Sequence, residues 1–407
     1  MQKEKILTSL LVLSAFLLAV AIGISSANGL LTPQEELGKA IFFDENLSMN
    51  GNQSCASCHA PEAGWTGPEL AINAAGAVYE GSIPGSFGNR KPPSSAYATQ
   101  SPILYYWAVD KKEPLFIGGN FWDGRATGER LGNPAAEQAQ GPFLNPLEQA
   151  LPDPATVIER VCASTYAGLF TQVCGDVCDS VSEAYDCIGL SIASYEASPE
   201  VNAFTSKYDL SLMDMAKLSK QERKGFALFQ GKGMCKKCHS SSGPQPLFTD
   251  FTYDNLGVPK NPENPFYYEP LFNPDGYDWI DLGLGGFLAS RVDYSAYADA
   301  NNGKQKVPTL RNVDKWDTSL GIKVKAYGHN GYFKSLQGIV HFYNTRDVKP
   351  TCPGDYTEAQ ALAEDCWPSP EVIDNVNTSE LGDLGLTPEE EAAIVAFLTT
   401  LSDGYMP

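Results

Sequence analysis

Cys55-Ala56-Ser57-Cys58-His59 and Cys235-Lys236-Lys237-Cys238-His239 are the two stretches that decide how this chain of 407 residues is read. Both spell C-x-x-C-H, the attachment signal for c-type haem. Two thiols add to the two vinyl groups of a porphyrin, and the adjacent histidine puts its imidazole under the iron as proximal ligand. The competing chemistry for such residues is a cysteine-rich zinc site. Two copies of the full motif in a chain with only four histidines favour haem over zinc. The chain therefore reads as a di-haem cytochrome.

Working outward, the other six of the ten cysteines are Cys162, Cys174, Cys178, Cys187, Cys352 and Cys366, which show no haem or metal spacing. Three disulfides are the simplest account. Cys352 and Cys366 stand alone in the C-terminal part and pair with each other, whereas three connectivities stay open among the remaining four.

The N-terminus explains why disulfides are expected. Lys3 and Lys5 precede an apolar run from Ile6 to Ile24, followed by Ser25-Ser26-Ala27. That is a secretory signal peptide over residues 1–27. The run is also long enough to span a bilayer as an uncleaved anchor, the one case in which the chain would be held at a membrane. In either case the remainder is exported to the periplasm, where disulfides persist. With 43% hydrophobic and 19% charged residues the composition is that of a folded protein, which excludes disorder and fibrous repeats. A formal net charge of −20 repels phosphate backbones, excludes a nucleic-acid partner and favours basic ones.

Each haem motif is preceded by the same element: Thr32-Pro33-Gln34-Glu35-Glu36-Leu37-Gly38-Lys39-Ala40-Ile41-Phe42, and Ser219-Lys220-Gln221-Glu222-Arg223-Lys224-Gly225-Phe226-Ala227-Leu228-Phe229. Thr32 with Glu35 and Ser219 with Glu222 form capping boxes, and each helix carries a glycine four residues before an aromatic, where a close helix crossing is possible. Each unit also ends in a helix, expected over Glu183 to Glu196 and Thr387 to Leu401, the second with Pro388 at its first position. The fold expected is mainly α, with two cytochrome c-like helical domains over residues 28–200 and 201–407, each binding one haem. Their boundary falls in the polar segment from Ser198 to Lys217. The long Gly- and Pro-rich stretches 61–102 and 242–286 read as loops over haem edges rather than as strands.

At this point the chain resembles the bacterial di-haem cytochrome c peroxidase and MauG superfamily. The motifs that carry the resemblance are Leu37-Gly38-Lys39-Ala40-Ile41-Phe42-Phe43-Asp44, Phe121-Trp122-Asp123-Gly124-Arg125, Gly141-Pro142-Phe143-Leu144-Asn145-Pro146-Leu147-Glu148 and Val307-Pro308-Thr309-Leu310-Arg311-Asn312-Val313, together with the first haem motif. The resemblance implies that the N-terminal haem handles peroxide and the C-terminal haem receives electrons. It places Glu148 as a distal carboxylate, Gln138 and Pro142 as further distal-pocket residues, and Trp122 as the indole between the haems. A carboxylate suits peroxide cleavage, which needs a group to move a proton from one oxygen to the other. Two departures stand out. About six extra residues, including Gly128 and Pro134, separate Arg125 from Gln138 and change the loop over the site. Lys91 also aligns with an asparagine that helps bind calcium in relatives. A lysine cannot ligate calcium, which calls that site into question and leaves the ammonium to take its place.

The count of axial ligands follows from the histidine supply. Cys55, Cys58 and His59 hold the first haem; Cys235, Cys238 and His239 hold the second. Relatives that must be reduced before they work carry a removable distal histidine where this chain has Ala75, and no histidine occurs from Ala60 to Cys238 and no methionine from Ala60 until Met213. The first iron is therefore expected to keep an open position. For the second, relatives place a ligand fourteen residues after the histidine of the motif found here as Tyr327-Gly328-His329-Asn330-Gly331, which is Tyr343. Peroxidases with an ordinary electron-transfer haem have methionine there and the MauG branch has tyrosine. A phenolate favours high-valent iron over accepting electrons at high potential. His341 competes with it; two residues apart on a helix means about 200° around the axis, so the two cannot both face one iron.

Three functions are carried forward. The first is a di-haem peroxidase that reacts with hydrogen peroxide and takes electrons from a small cytochrome c or copper protein. The second is a MauG-like oxidase that uses two high-valent haems to oxidise tyrosine or tryptophan of a protein substrate. The third is a non-catalytic electron carrier, which would need two six-coordinate haems.

Overall fold

The computed structural model describes residues 30–108 and 115–406. The expected signal segment lies outside the described residues. The described chain is mainly helical, with two short antiparallel ladders and long irregular connections, as the composition and motifs lead one to expect. Among the described residues no helix is long and apolar enough to cross a membrane.

Six helices frame the molecule: α1 (Pro33–Phe42), α2 (Pro134–Leu144) and α3 (Val181–Ala197), then α4 (Lys220–Gln230), α5 (Leu336–Thr345) and α6 (Pro388–Leu398). Both capping boxes form. Thr32 Oγ1 accepts from Glu35 N–H while the Glu35 carboxylate accepts from Thr32 N–H, and Ser219 and Glu222 repeat the exchange. The glycines do what their spacing suggests. Gly38 of α1 lies against the Ser191 carbonyl and Tyr195 of α3, and Gly225 of α4 lies against the Ala393 carbonyl and Phe397 of α6. A Cβ at either position would meet backbone, so the two helix crossings need glycine. The internal repeat is thus a repeat of packing as well as of letters.

Each crossing seeds its own core. Phe42 packs edge-on against Trp65 and Tyr195, with ring centroids 5.9 and 5.6 Å away. Phe229 packs in the same way against Phe248 and Phe397, at 6.0 and 5.2 Å. Around them lie two separate apolar clusters, one running from Leu37 to Val201 and the other from Tyr208 to Leu401. α6 continues as a 3-10 turn over Thr399–Leu401, which completes the helix expected there.

Two features differ from the sequence reading, and a third settles a choice that it left open. The polar segment from Ser198 to Lys217 contains a helix, Lys207–Leu212, started by a capping box between Ser206 and Asp209, and its Tyr208 and Asp209 are buried. Asp209 receives both guanidinium Nη atoms of Arg311, at 2.7 and 2.8 Å, in a fully enclosed pair. The ladders are the second difference. β1 (Tyr105–Trp107) pairs with β2 (Leu115–Ile117), and β3 (Tyr253–Asp254) with β4 (Gln305–Lys306), so one irregular stretch does hold a strand. Two residues are too few to show an alternating pattern. A third apolar cluster forms there, around Leu104, Phe116, Tyr253, Leu284 and Leu288.

The third is the disulfide set, where the sequence left a choice. Cys352–Cys366 pairs as expected, and the open connectivity is settled as Cys162–Cys178 with Cys174–Cys187. Both of the latter staple the connection between Pro154–Cys162 and α3.

Candidate functional site

Four cysteines remain unpaired, and they are the four of the haem motifs. Each pair opens with its histidine into a cavity. The first cavity, of about 160 Å³, is lined by Cys55, Cys58 and His59; the second, of about 220 Å³, by Cys235, Cys238 and His239. Burial pushes the Cys55 and Cys235 thiols up to about 12, and the other two thiols upward as well, so all four stay protonated. Burial also holds both imidazoles below their ordinary range, His59 at about 4, which keeps them neutral and able to ligate. Two unpaired thiols and an imidazole converging on one enclosed cavity suit a covalently attached haem.

Each histidine ring is held through Nδ1 by a backbone carbonyl, the kind of contact that orients a ligating imidazole. His59 Nδ1 stands 3.3 Å from the Trp65 carbonyl and His239 Nδ1 stands 2.8 Å from the Phe248 carbonyl. These are the same two aromatics that pack on Phe42 and Phe229, so the core that closes each helix crossing also aims each imidazole. The motif from Val307 to Val313 serves the second of them. Thr309 Oγ1 donates to the Leu247 carbonyl and Arg311 Nε to the Pro246 carbonyl, which holds the loop that presents Phe248. In the first half Lys91 does comparable work. Its buried Nζ donates to Thr66 Oγ1 and the Pro92 carbonyl, next to Trp65, with burial lowering it to about 7.

The far side of the first cavity is built by α2 and the turn after it. Asn133 caps α2 with Pro134 at the first position, and Gln138 and Pro142, one turn apart, face the cavity together. Pro142 has no N–H, which leaves the Gln138 carbonyl without its helical donor. Asn145 ends the helix; its Oδ1 accepts from Leu147 N–H at 3.0 Å and its Nδ2 donates to Glu148 Oε1 at 2.9 Å. Burial raises the Glu148 carboxyl above its ordinary range, opposed by Arg125 and by the Asn145 bond. His59 is the sole histidine or methionine among the residues lining this cavity. Tyr79 also lines it, but its hydroxyl accepts from Glu69 N–H at 2.8 Å.

The extra loop before Gln138 is tied down by a residue that sequence reasoning passed over. The Glu137 carboxylate accepts from the N–H groups of Gly128, Arg130 and Leu131 at 2.6 to 2.9 Å. Arg125 ends the motif that Phe121 opens; its guanidinium lies 3.8 Å from the centre of the Phe121 ring, and it lines the first cavity. Glu196 of α3 also faces that cavity, raised to about 8 by burial, and no spacing in the sequence marks it.

The second cavity is closed differently. Tyr343 of α5 is half-buried and lines it, its hydroxyl raised first by desolvation and next by the neighbouring Cys235 and Cys238 sulfurs. His341 turns away, as two residues on a helix require. Its Nδ1 lies 3.0 Å from Glu391 Oε1, and it is not among the cavity residues. His329 does line the cavity, with Nε2 3.7 Å from Glu371 and 3.9 Å from Asp281. Asp254 and Glu380, also unmarked in the sequence, flank Cys238.

Trp122 lines both cavities, as do Lys91 and Pro93. Its indole N–H donates to the Lys91 carbonyl at 2.9 Å, and its ring meets His329 at 6.5 Å between centroids. The sequence-derived residues are thus gathered into two cavities that share a wall.

The family model described as Di-haem cytochrome c peroxidase matches residues 32–217. The chain is 34% identical over 374 residues to the methylamine utilization protein MauG of Paracoccus denitrificans, covering 90% of this chain and 88% of that one. It is 30% identical over 329 residues to cytochrome c551 peroxidase of Nitrosomonas europaea, covering 77% and 79%. Among solved structures, the diheme peroxidase BthA from Burkholderia thailandensis superimposes with a TM-score of 0.73 at 28% identity, over 91% of this chain and 86% of that one. Two cavities, each with its unpaired cysteines and aimed histidine, and this likeness over nine-tenths of the sequence have one explanation: the chain belongs to the di-haem cytochrome c peroxidase and MauG family, peroxidase-type oxidoreductases that bind two c-type haems.

Proposed function

We propose that the chain is a periplasmic peroxidase whose first cavity receives hydrogen peroxide and whose second passes electrons to it from a small redox protein. Cys55, Cys58 and His59 hold one haem, and Cys235, Cys238 and His239 the other, within domains spanning 28–200 and 201–407. Bound haem iron supplies the two-electron cleavage of the peroxide O–O bond. Glu148 takes a proton from one peroxide oxygen and returns it to the other, so that water leaves, and the Asn145 amide keeps the carboxylate turned to that task. Gln138 and Pro142 shape the space beside it. Trp122 carries electrons across the shared wall, and Tyr343 closes the second iron.

The observation that carries this reading is the asymmetry of the two cavities: no histidine or methionine besides His59 lines the first, while Tyr343 lines the second. An open first site means that peroxide reacts with the fully ferric enzyme, with no prior reduction. Mixing ferric holoenzyme with peroxide in a stopped-flow spectrometer tests this; a protein inert until reduced contradicts it.

Tyr343 also favours a second reading, in which both haems are oxidised and draw electrons from tyrosine or tryptophan of a protein substrate. Rapid turnover with reduced cytochrome c or a cupredoxin selects the first reading, and its absence the second. An electron carrier without catalysis does not suit an open first site. Export rests on Lys3, Lys5 and the run from Ile6 to Ile24.

A further inference from the structure

The segment from Asn261 to Leu282 forms an arm of two 3-10 turns, Pro265–Tyr268 and Gly276–Asp278, held together by Tyr267 against Tyr277 at 4.9 Å and Phe266 against Trp279 at 5.0 Å. Its inner side is fastened to both halves. Asn264 Nδ2 donates to the Asn89 carbonyl, Phe87 N–H donates to Glu269 Oε1, and Asn261 Nδ2 donates to the carbonyls of Gly76 and Asn330. At its end Asp281 takes a bidentate pair from Arg90 at 2.6 and 2.7 Å. Asn89 and Arg90 line the first cavity and Asp281 lines the second, so the arm lies directly outside the wall the two cavities share.

Its outer side is apolar where solvent meets it. Leu271 is 84% exposed and Tyr268 75%, and Phe272, Tyr277 and Ile280 are exposed beside them. Scattered apolar residues need no explanation, but five within thirteen residues of one folded arm form a patch. The same segment holds Glu263, Glu269, Asp275, Asp278 and Asp281 and no lysine or arginine, while Lys260 immediately before it packs on the arm, donating its Nζ to the Tyr277 carbonyl and lying 5.0 Å from the centre of the Tyr277 ring, and offsets one of these acids. Glu269 and Asp281 are used internally, which leaves Glu263, Asp275 and Asp278 on the rim, joined by exposed Asp355 under the Tyr277 hydroxyl. An apolar centre with an acidic rim is complementary to a small protein whose redox centre emerges through an apolar patch ringed by lysines.

We propose that this arm is the docking surface for the electron donor, a small basic redox protein. The proposal rests on the peroxidase reading above and adds where the donor sits. Long-range attraction steers it, the rim sets its orientation, and Leu271 and Phe272 exclude water at the centre of the contact.

The test uses haem-loaded protein and a reduced basic c-type cytochrome at low ionic strength, with affinity measured by calorimetry alongside steady-state turnover. Asp275→Lys with Asp278→Lys should weaken binding and raise KM for the cytochrome by about tenfold or more, with a shallower salt dependence. Its kcat and its rate of reaction with peroxide should stay at wild type. Leu271→Ser with Phe272→Ser should also weaken binding but keep the full salt dependence. Asp176→Lys with Asp179→Lys, on the disulfide-stapled segment, serves as control. Arm variants with wild-type KM and affinity overturn the proposal, as does a control that moves as far, or a wild type that binds no basic cytochrome or copper protein. Arm-dependent binding without turnover upholds the docking surface and removes the peroxidase reading instead. A dimer that falls to monomer in the arm variants assigns the patch to a second copy and overturns the proposal.

Discussion

Set side by side, the two cavities agree on their histidine sides and part company on their far sides. In each, a capped helix crosses its partner at a glycine, an aromatic four residues on packs against a second aromatic, and that second residue's carbonyl aims the histidine. Beyond the histidine side the first offers Gln138, Pro142 and Glu148 from a helix and the turn after it, and the second offers Tyr343 from the last turn of a helix. The repeat therefore gives both cavities a common histidine side, and the two differ in the residues that face it. Packing that repeats and far-side residues that differ are kept on different segments, so a change to one need not disturb the other.

Removing haem from one side at a time should have the largest effect. Cys55→Ala with Cys58→Ala should abolish the reaction with peroxide while one haem remains by pyridine haemochrome assay. Cys235→Ala with Cys238→Ala should leave peroxide binding and remove turnover with the donor. Peroxide reactivity surviving the first pair of changes would break the division of labour between the cavities.

Glu148→Gln tests the far side of the first cavity alone. It should slow peroxide cleavage by roughly 10² to 10⁴-fold, with haem content unchanged. Because burial raises this carboxyl and only its ionised form accepts a proton, the wild-type rate should fall on acidification at a pH above the ordinary carboxylate range. The variant should lose that limb of the profile.

The shared scaffold is tested by Gly38→Ala and Gly225→Ala. Each should destabilise by about 1–3 kcal/mol, since a methyl group must displace the facing backbone. Thermal unfolding of the holoprotein reads both. Similar losses sharpen the comparison, and a neutral change at either glycine breaks it.

The smallest expected effect belongs to Glu196, whose counterpart in the second half is Leu398, an apolar residue lining the second cavity. Its folded value of about 8 lies above the ordinary 4.5, so the folded state holds a proton that the unfolded state gives up. Stability from this group is complete below 4.5 and is lost as pH rises toward 8. Glu196→Gln should flatten that part of the curve of unfolding temperature against pH.

What was legible in the sequence was local. Thr32 with Glu35, Ser219 with Glu222 and the two glycines are read from neighbours a few residues away, and each does what its spacing implies. Tyr343 was pointed to by the family resemblance, and helical geometry adds only that His341 cannot face the same cavity. What escaped depends on distant partners. The Glu137 carboxylate gathers three amides from a loop that has no periodicity. Lys91 was singled out by type, yet its bonds to Thr66 and Pro92 follow from how residues 60–95 fold back around His59. The buried pair of Arg311 and Asp209 joins residues about a hundred apart, in a segment read as a boundary.

The central claim is that one iron is open and the other is closed by Tyr343. Low-temperature electron paramagnetic resonance of the ferric holoprotein, compared with Tyr343→Phe, addresses it most directly. The account predicts a high-spin signal from the first haem that is the same in both proteins, and a second signal that changes in the variant. Two low-spin haems in the wild type, or a variant spectrum indistinguishable from it, would contradict the account.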